Sequence, residues 1–185
     1  MPLTELDEKV ALVTIDLQKG IVQIPTAHAI SDVLTNAAAL AASFRARNLP
    51  VVLVNVAGRS AGRSDVSWPM RDLPSDWTEL VPELNAQPTD LRVTKKSWGA
   101  FLTTDLDAQL RSLGVTQIVL AGVSTSIGVE STARSAYELG YNVVLAADAM
   151  TDRDAASHQH SLEKIFPRLG QVEATAGILA HLQAH

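Results

Sequence analysis

Two charged residues and one glycine-rich turn come directly after apolar, β-branched runs of the sequence. Asp16 follows VALVTI, Lys95 follows LRVT, and the segment Gly122–Gly128 follows TQIVLA. Apolar runs without polar alternation are typical of strands buried on both faces of a parallel sheet. Because the carboxyl ends of such strands meet at the edge where ligands bind, these groups could converge in one crevice. Such a crevice would be suited to acid–base chemistry, because it would contain a carboxylate, an ammonium group and a tight turn.

Each of these residues also has a purely structural interpretation. Asp16 could be a turn residue or a helix N-cap, and Lys95 and Lys96 could be solvated charges at a strand end. A charge at the buried end of a central strand is expensive unless it is paired, and Lys95 is the natural partner of Asp16. Gly128 in a first helical turn costs about 1 kcal/mol relative to alanine. That cost indicates either close helix–sheet packing or room for a ligand at the positive helix end.

The elements that would position these residues alternate between strand and helix. We predict strands at 9–15, 50–56, 91–94, 116–121, 142–146 and 170–174, and helices at 28–48, 103–113, 126–139, 155–169 and 175–183. This alternation implies βαβ crossovers, a central parallel sheet of about six strands and helices on both of its faces. The predicted fold class is therefore α/β.

Residues 57–90 interrupt the alternation with a long stretch rich in glycine and proline that carries Trp68 and Trp77. A loop of this length inside a compact domain is usually a lid or an interaction segment. The alternative is a surface excursion that packs both tryptophans on the domain. The chain of 185 residues suits a single domain, 1–185, with a full hydrophobic core.

The composition restricts the classes of partner and of chemistry. A net charge of −5 argues against nucleic acid and anionic membranes as partners. No apolar run reaches the roughly 18 residues that would span a bilayer, and the acidic start MPLTELDEKVALVTID does not suit a signal peptide, so we expect a cytoplasmic protein. The chain has no cysteine, which excludes disulfides, thiolate metal ligands and a thiol nucleophile.

Three blocks, ALVTIDLQKG, TKKSWGAF and GVSTSIGVESTARSAYELGYNVVLAADAMTD, resemble the signature blocks of the isochorismatase-like hydrolase family in order and spacing. The resemblance extends across nearly the whole chain and implies a three-layer αβα, Rossmann-like fold with a catalytic Asp–Lys–Cys set. By motif, the aspartate is Asp16, and the lysine is Lys95 because it stands six residues before Phe101. The cysteine position is Gly128. The resemblance also implies a non-proline cis peptide at Val123–Ser124.

The glycine at position 128 departs from the amidases of this family, which attack with a cysteine thiolate. The aspartate and paired histidines that form the metal site of nicotinamidases are also absent from Gly58 to Trp77. A thiol amidase is therefore rejected. The chain is similar instead to the glycine-for-cysteine branch, the isochorismatases, which cleave a vinyl ether without a covalent intermediate.

Two mechanisms without a thiol remain open for Asp16. A protonated Asp16 would be a general acid that protonates the enol-ether carbon, and this requires burial to raise its pKa. An ionised Asp16 would be a general base acting on a water molecule in the space of the missing thiol, and Lys95 favours that charge state. The electrostatics of the sequence favour the second mechanism, and the resemblance to the glycine branch favours the first.

The catalytic candidates are therefore Asp16, Lys95 and Gly128, surrounded by a set of candidate substrate-binding residues. Gln18 could fix the turn or face a ligand, Trp98 and Phe101 could wall the pocket or pack in the core, and Arg59 and Arg63 could bind a carboxylate or remain solvated. The candidates are Gln18, Arg59, Trp98, Phe101, Val123, Ser124 and Ile127.

Other side chains are poor candidates for catalysis or metal binding. The hydroxyls of residues 124–126 do not form a nucleophile elbow, and we predict that they cap the following helix. His158 and His160 are two apart on a predicted helix and would face different directions, so a metal pair is not expected. We expect neither a metal nor a cofactor.

The predicted function is hydrolysis of a small molecule, an enol ether or a related small cyclic acid, by a homo-oligomer. Oligomerisation follows from the resemblance, and residues 57–90 are the candidate interface. Two alternatives remain: a ligand-binding homo-oligomer without catalytic activity, and an amidase that activates water. A buried Asp16–Lys95 pair weakens the first alternative, because an inactive site has no need of it.

Overall fold

Six strands form one parallel sheet in the computed structural model, which describes residues 3–66 and 72–184. They are β1 Val10–Ile15, β2 Val51–Val56, β3 Leu91–Lys95, β4 Gln117–Val123, β5 Asn142–Thr151 and β6 Gln171–Glu173. Their order across the sheet is β3-β2-β1-β4-β5-β6. The direction of winding reverses between β1 and β4, where Ile15 lies beside Gly122. Ligands bind open α/β sheets at the carboxyl ends of such a pair of strands.

Helices follow most of the strands and cover both faces of the sheet. They are α1 Lys19–Val22, α2 Ile30–Ala46, α3 Leu106–Ser112, α4 Glu130–Glu138, α5 Ala155–His160 and α6 Thr175–Ala184, with 3₁₀ turns at Pro82–Leu84 and Phe166–Arg168 and π-helical turns at Thr125–Val129 and Ser161–Ile165. None of the helices in the described part of the chain has the length and apolarity needed to cross a membrane.

Alternate residues of the strands face two separate hydrophobic layers. Leu12 belongs to the cluster built with α2 and α6, whereas the next residue, Val13, belongs to the cluster built with α3 and α4. Such alternation follows from the two-residue period of a strand, and burial on both faces explains the uninterrupted apolar runs. The predicted three-layer αβα fold is confirmed.

Several element boundaries differ from the sequence prediction. The helical stretch predicted for 155–169 is confirmed over 155–168, but only α5, which ends at His160, is α-helical, and a π-helical and then a 3₁₀ turn follow it. Pro167 lies in the 3₁₀ turn, and a proline lacks the backbone N–H that an α-helix would need at this position. β5 runs to Thr151 rather than residue 146, with a register shift against β4.

The described residues of the long segment 57–90 differ in how far they are exposed. Residues 57–66 are mostly exposed, but Trp77 is buried against Gly20, whose backbone N–H donates to the Trp77 carbonyl. Lys19 adds ion pairs to Asp76 and Glu79. The second half of the segment therefore packs beside the end of β1. This agrees with the alternative in which the segment is a surface excursion packed on the domain. Trp68 lies outside the described residues.

Candidate active site

Asp16 and Lys95 form a buried ion pair at the carboxyl edge of the sheet. The Lys95 Nζ is 2.7 Å from the Asp16 Oδ2 and 3.1 Å from the Ser97 carbonyl oxygen, to which it also donates. The two side chains are only 2% and 8% exposed. The predicted pairing is confirmed. Asp16 has a φ of 53°, a left-handed conformation that aspartate tolerates better than most residues and that ends β1 in a turn.

The two carboxyl oxygens of Asp16 have different surroundings. Oδ2 accepts the Lys95 hydrogen bond, whereas Oδ1 is buried without a hydrogen-bond partner among the described residues. Burial raises the pKa of Asp16 to about 6, although the neighbouring Lys95 acts in the opposite direction. Desolvation thus outweighs the cation. The group can gain or lose a proton near neutral pH, and Oδ1 is the oxygen free to carry it.

The turn after β4 lies against Asp16 because glycine permits a close contact between β4 and β1. A Cβ built on Gly122 would be 2.1 Å from the Ile15 carbonyl oxygen, and the φ of Gly122 is 124°, so another residue type would not fit. The Val123–Ser124 peptide is cis, as the family resemblance implies. Among the described residues, the backbone N–H groups of Ser124 and Thr125 have no hydrogen-bond acceptor.

Gly128 lies directly beside the carboxyl group of Asp16. A Cβ on Gly128 would be 3.0 Å from the Ile15 Cγ2 and 3.4 Å from the Asp16 Oδ2. The π-helical turn that contains Gly128 runs into α4, and the Gly128 carbonyl accepts a hydrogen bond from the Thr132 Oγ1. Asp16, Lys95 and Gly128 therefore converge although they belong to three different strand ends.

The start of this turn is held by an aspartate from the neighbouring strand. Asp152, just after β5, accepts hydrogen bonds at Oδ2 from the Ser126 backbone N–H, at 2.7 Å, and from the Ser126 Oγ, at 2.8 Å. The prediction that the hydroxyls of residues 124–126 cap the helix is wrong, since no side-chain cap is present in the turn or at the start of α4. The acceptor is supplied by Asp152 because the π-helical turn directs the Ser126 N–H toward β5.

Gln18 fixes the backbone on both sides of the crevice, which is the first of its two predicted alternatives. Its Nε2 donates to the carbonyls of Val56 and Trp77, each at 3.0 Å, and its Oε1 accepts from the Val56 N–H at 2.7 Å. The residue is fully buried. The side chain thus joins the ends of β1 and β2 to the returning segment around Trp77.

The other predicted substrate-binding residues have different environments. Trp98 is 66% exposed, so it does not pack in the core. Phe101 packs against the layer of α3 and α4, with its ring centroid 5.8 Å from that of Tyr141. Ile127 is 38% exposed beside Gly128, and Arg59 is exposed after β2. The remaining two, Val123 and Ser124, are the residues of the cis peptide.

Two histidines behind the turn were not among the predicted site residues. The His158 Nδ1 is 2.8 Å from the Thr125 Oγ1, and the His28 ring lies 4.5 Å from the His158 ring. The sequence offered little signal, because His28 lies in the connection before α2 and His158 on α5. Among residues 3–66 and 72–184, no group of three or more histidine, aspartate or glutamate side chains is arranged to hold a metal ion.

Comparison with known proteins gives matches along nearly the full chain. The isochorismatase domain model matches residues 10–177. The chain is 44% identical to the uncharacterized isochorismatase family protein YwoC of Bacillus subtilis (95% of each chain). It is also 44% identical to YecD of Escherichia coli O157:H7, an uncharacterized protein of the same family (96% and 98%). The solved structure of an isochorismatase family protein from Burkholderia thailandensis has a TM-score of 0.93 and 46% identity, with 97% and 98% coverage.

More distant matches include named proteins of known pathways. The ureidoacrylate amidohydrolase RutB of Variovorax paradoxus is 37% identical over 51% of this chain and 39% of its own. The phenazine biosynthesis protein PhzD1 of Pseudomonas aeruginosa is 36% identical over 60% of this chain and 53% of its own. Because the domain model matches most of the chain and relatives of 44% identity match it over nearly its full length, this chain belongs to the isochorismatase family.

Proposed function

We propose that this protein hydrolyses a small enol ether, or a related small cyclic acid, with Asp16 as the general acid. The observation that carries the proposal is the difference between the two oxygens of Asp16. Oδ2 accepts from Lys95, and Oδ1 is buried without a partner among the described residues. A proton taken up by Asp16 therefore resides on Oδ1, and burial, which raises the pKa to about 6, favours its uptake.

The proposed reaction needs no nucleophilic side chain. Oδ1 of Asp16 gives its proton to the terminal carbon of the vinyl ether, and the electron pair of the double bond forms the new C–H bond. Water adds to the resulting oxocarbenium carbon and returns one proton to Asp16. The hemiketal then breaks its bond to the ether oxygen and yields a ketone and an alcohol.

Lys95 and the turn have supporting roles in this scheme. The Lys95 Nζ, at 2.7 Å from Oδ2, stabilises the carboxylate that remains after proton transfer. The backbone N–H groups of Ser124 and Thr125, which have no acceptor among the described residues, are suited to an oxygen of the substrate. Gly128 leaves open the space that a side chain would fill next to Asp16. Arg59 and Trp98 are proposed to contact a carboxylate and a ring face of the substrate.

A second candidate is an amidase in which ionised Asp16 is a general base. The observation that favours it is the short Lys95–Asp16 ion pair, which stabilises the carboxylate. The water to be activated would occupy the space beside Gly128. The two candidates predict opposite pH dependence, because a general acid loses activity as Asp16 ionises and a general base gains it.

The experiment is an assay for pyruvate release from isochorismate by the purified protein, with Asp16→Asn beside it. Asp105→Asn is the matched control, because it makes the same chemical change at an exposed residue before α3. We expect release by the wild type and the control, and none by Asp16→Asn. Release by all three proteins would remove Asp16 from the mechanism. No release by any would reject this substrate, and other enol ethers and small amides would then be assayed.

We also propose, from the family resemblance, that the protein works as a homo-oligomer in the cytoplasm. Residues 57–90 are the proposed interface or lid. Residues 57–66 are mostly exposed and could take this role, whereas Trp77 is buried within its own chain. Sedimentation of the purified protein at several concentrations tests the proposal, and a monomer throughout would contradict it.

A further inference from the structure

Three buried polar side chains and one exposed histidine lie beside the cis peptide of the active-site turn. On one side, the Thr125 Oγ1 is 2.8 Å from the His158 Nδ1. On the other side, Val123 pairs in the sheet with Thr151, whose Oγ1 is 3.0 Å from the His28 Nδ1. The rings of His28 and His158 lie next to each other, with centroids 4.5 Å apart. Both flanks of the peptide thus depend on the two histidines.

We propose that His158 is a positioning residue that acts through Thr125 on the turn carrying Gly128, and that it does so only as a neutral imidazole. The consequence for turnover rests on the proposed function, but the structural consequence does not. Thr125 and His158 are side by side like a hydroxyl nucleophile and its base. Thr125 is fully buried, however, so its hydroxyl cannot meet a substrate, and the pair must act on the backbone.

The neutral form follows from what surrounds the His158 ring. His28 faces it from the connection before α2, and Asp152 from the end of β5. Burial, and then the proximity of His28, lower the pKa of His158, and Asp152 opposes them. A cavity of about 430 Å³ beside both rings is also lined by Asp32 and Asp148. A proton on His158 would place a cation 4.5 Å from the centre of the His28 ring.

Protonation makes both ring nitrogens of His158 donors, so the Thr125 Oγ1 must then accept from Nδ1, and this change is expected to move Thr125. The π-helical turn Thr125–Val129 is continuous with Gly128, and Asp152 holds the adjacent Ser126 N–H. A shift of Thr125 thus changes the position of the N–H groups and of Gly128 relative to Asp16. The effect of acid on the site would arise behind the turn rather than at Asp16 itself.

The activity-independent test is a pH titration of the backbone amide resonance of Gly128 by nuclear magnetic resonance. The Cε1–H resonance of His158 gives its midpoint in the same sample. We expect the Gly128 amide of the wild type to show a component with that midpoint, and His158→Asn to lack it, since asparagine retains a hydrogen-bonding atom near Nδ1 but does not titrate. His160→Asn, an exposed histidine on the same helix, is the matched control and retains the component.

The absence of that component from the wild type would overturn the proposal, whatever the enzymatic activity. If His158→Asn loses cooperative melting, Thr125→Val removes the hydroxyl from the same hydrogen bond, and the Gly128 component should again disappear. Persistence of the component in a folded Thr125→Val protein would equally overturn the proposal.

A second, kinetic experiment measures kcat as a function of pH with whichever substrate the protein hydrolyses. We expect wild-type kcat to fall at acid pH, and His158→Asn to retain activity there. Thr125→Val should lower kcat by about tenfold to a hundredfold with little change in KM, as for a misplaced site. Failure of enol-ether hydrolysis would reject the proposed function, whereas the Gly128 titration would still decide the role of His158.

Discussion

Gly128 faces the carboxyl group of Asp16, since a Cβ built on Gly128 would be 3.4 Å from the Asp16 Oδ2. In a family whose amidases carry a cysteine at this position, the side chain would project toward the same carboxyl. Here the glycine leaves that volume to a water molecule or a substrate. In the proposed mechanism the Asp16 carboxyl, rather than a nucleophilic side chain, therefore carries the chemistry.

Gly128→Ala should abolish or strongly reduce turnover while the protein remains folded. The added methyl group would be 3.0 Å from the Ile15 Cγ2 and would enter the space in front of Asp16. The φ of Gly128 is not positive, so alanine gains helix propensity of about 1 kcal/mol, which offsets part of the crowding. Turnover and the free energy of unfolding in urea are the measurements. Gly62→Ala, where nothing lies within 4 Å, is the control, and normal turnover by Gly128→Ala would contradict the assignment of this space to water or substrate.

The buried ion pair should show strong energetic coupling between its two residues. Asp16→Asn leaves the Lys95 ammonium buried without a counter-charge, so Lys95→Met should cost less stability in the Asp16→Asn protein than in the wild type. The double variant Asp16→Asn/Lys95→Met removes both charges and should be more stable than Asp16→Asn alone. Unfolding in urea is measured for the wild type, for Asp16→Asn and Lys95→Met alone and for the double variant, and simple addition of the single effects would show that the pair is not coupled.

The pH dependence of stability has a defined sign at Asp16. Burial raises the pKa of folded Asp16 to about 6, above the ordinary aspartate value of 3.8. The contribution of Asp16 to stability is therefore fully present below the unfolded pKa and is lost as pH rises through about 6. The difference in unfolding free energy between wild type and Asp16→Asn should shrink between pH 4 and pH 7. A difference that grows with pH would mean that the folded pKa is lowered.

The pH dependence of activity distinguishes the two mechanisms for the same group. With Asp16 as general acid, kcat/KM should fall about tenfold per pH unit above pH 6, because the protonated fraction falls at that rate. A profile that rises through pH 6 and is flat above it would establish the general base and favour the amidase. The two outcomes are opposite in sign, so one profile decides between them.

Much of the fold and the central pair could be predicted because they depend on local pattern. Apolar runs predicted the strands, and the cost of a buried charge at the end of β1 predicted that Asp16 and Lys95 would pair. The cis peptide was anticipated only through the family resemblance. The contacts of Gln18 and His158 could not be predicted, because they join segments whose approach is decided by how the loops return to the sheet. The π-helical turns also have no simple residue pattern.

Gln18 provides the last prediction, because its structural and substrate-binding roles have different consequences. Gln18→Met keeps the length of the side chain but removes its hydrogen bonds to Val56 and Trp77, leaving buried backbone groups without partners. We expect a loss of about 3 kcal/mol in unfolding free energy and little change in KM, since each unsatisfied buried group costs about 1–3 kcal/mol. Urea unfolding and steady-state kinetics are measured together. Unchanged stability with a raised KM would instead assign Gln18 to the substrate.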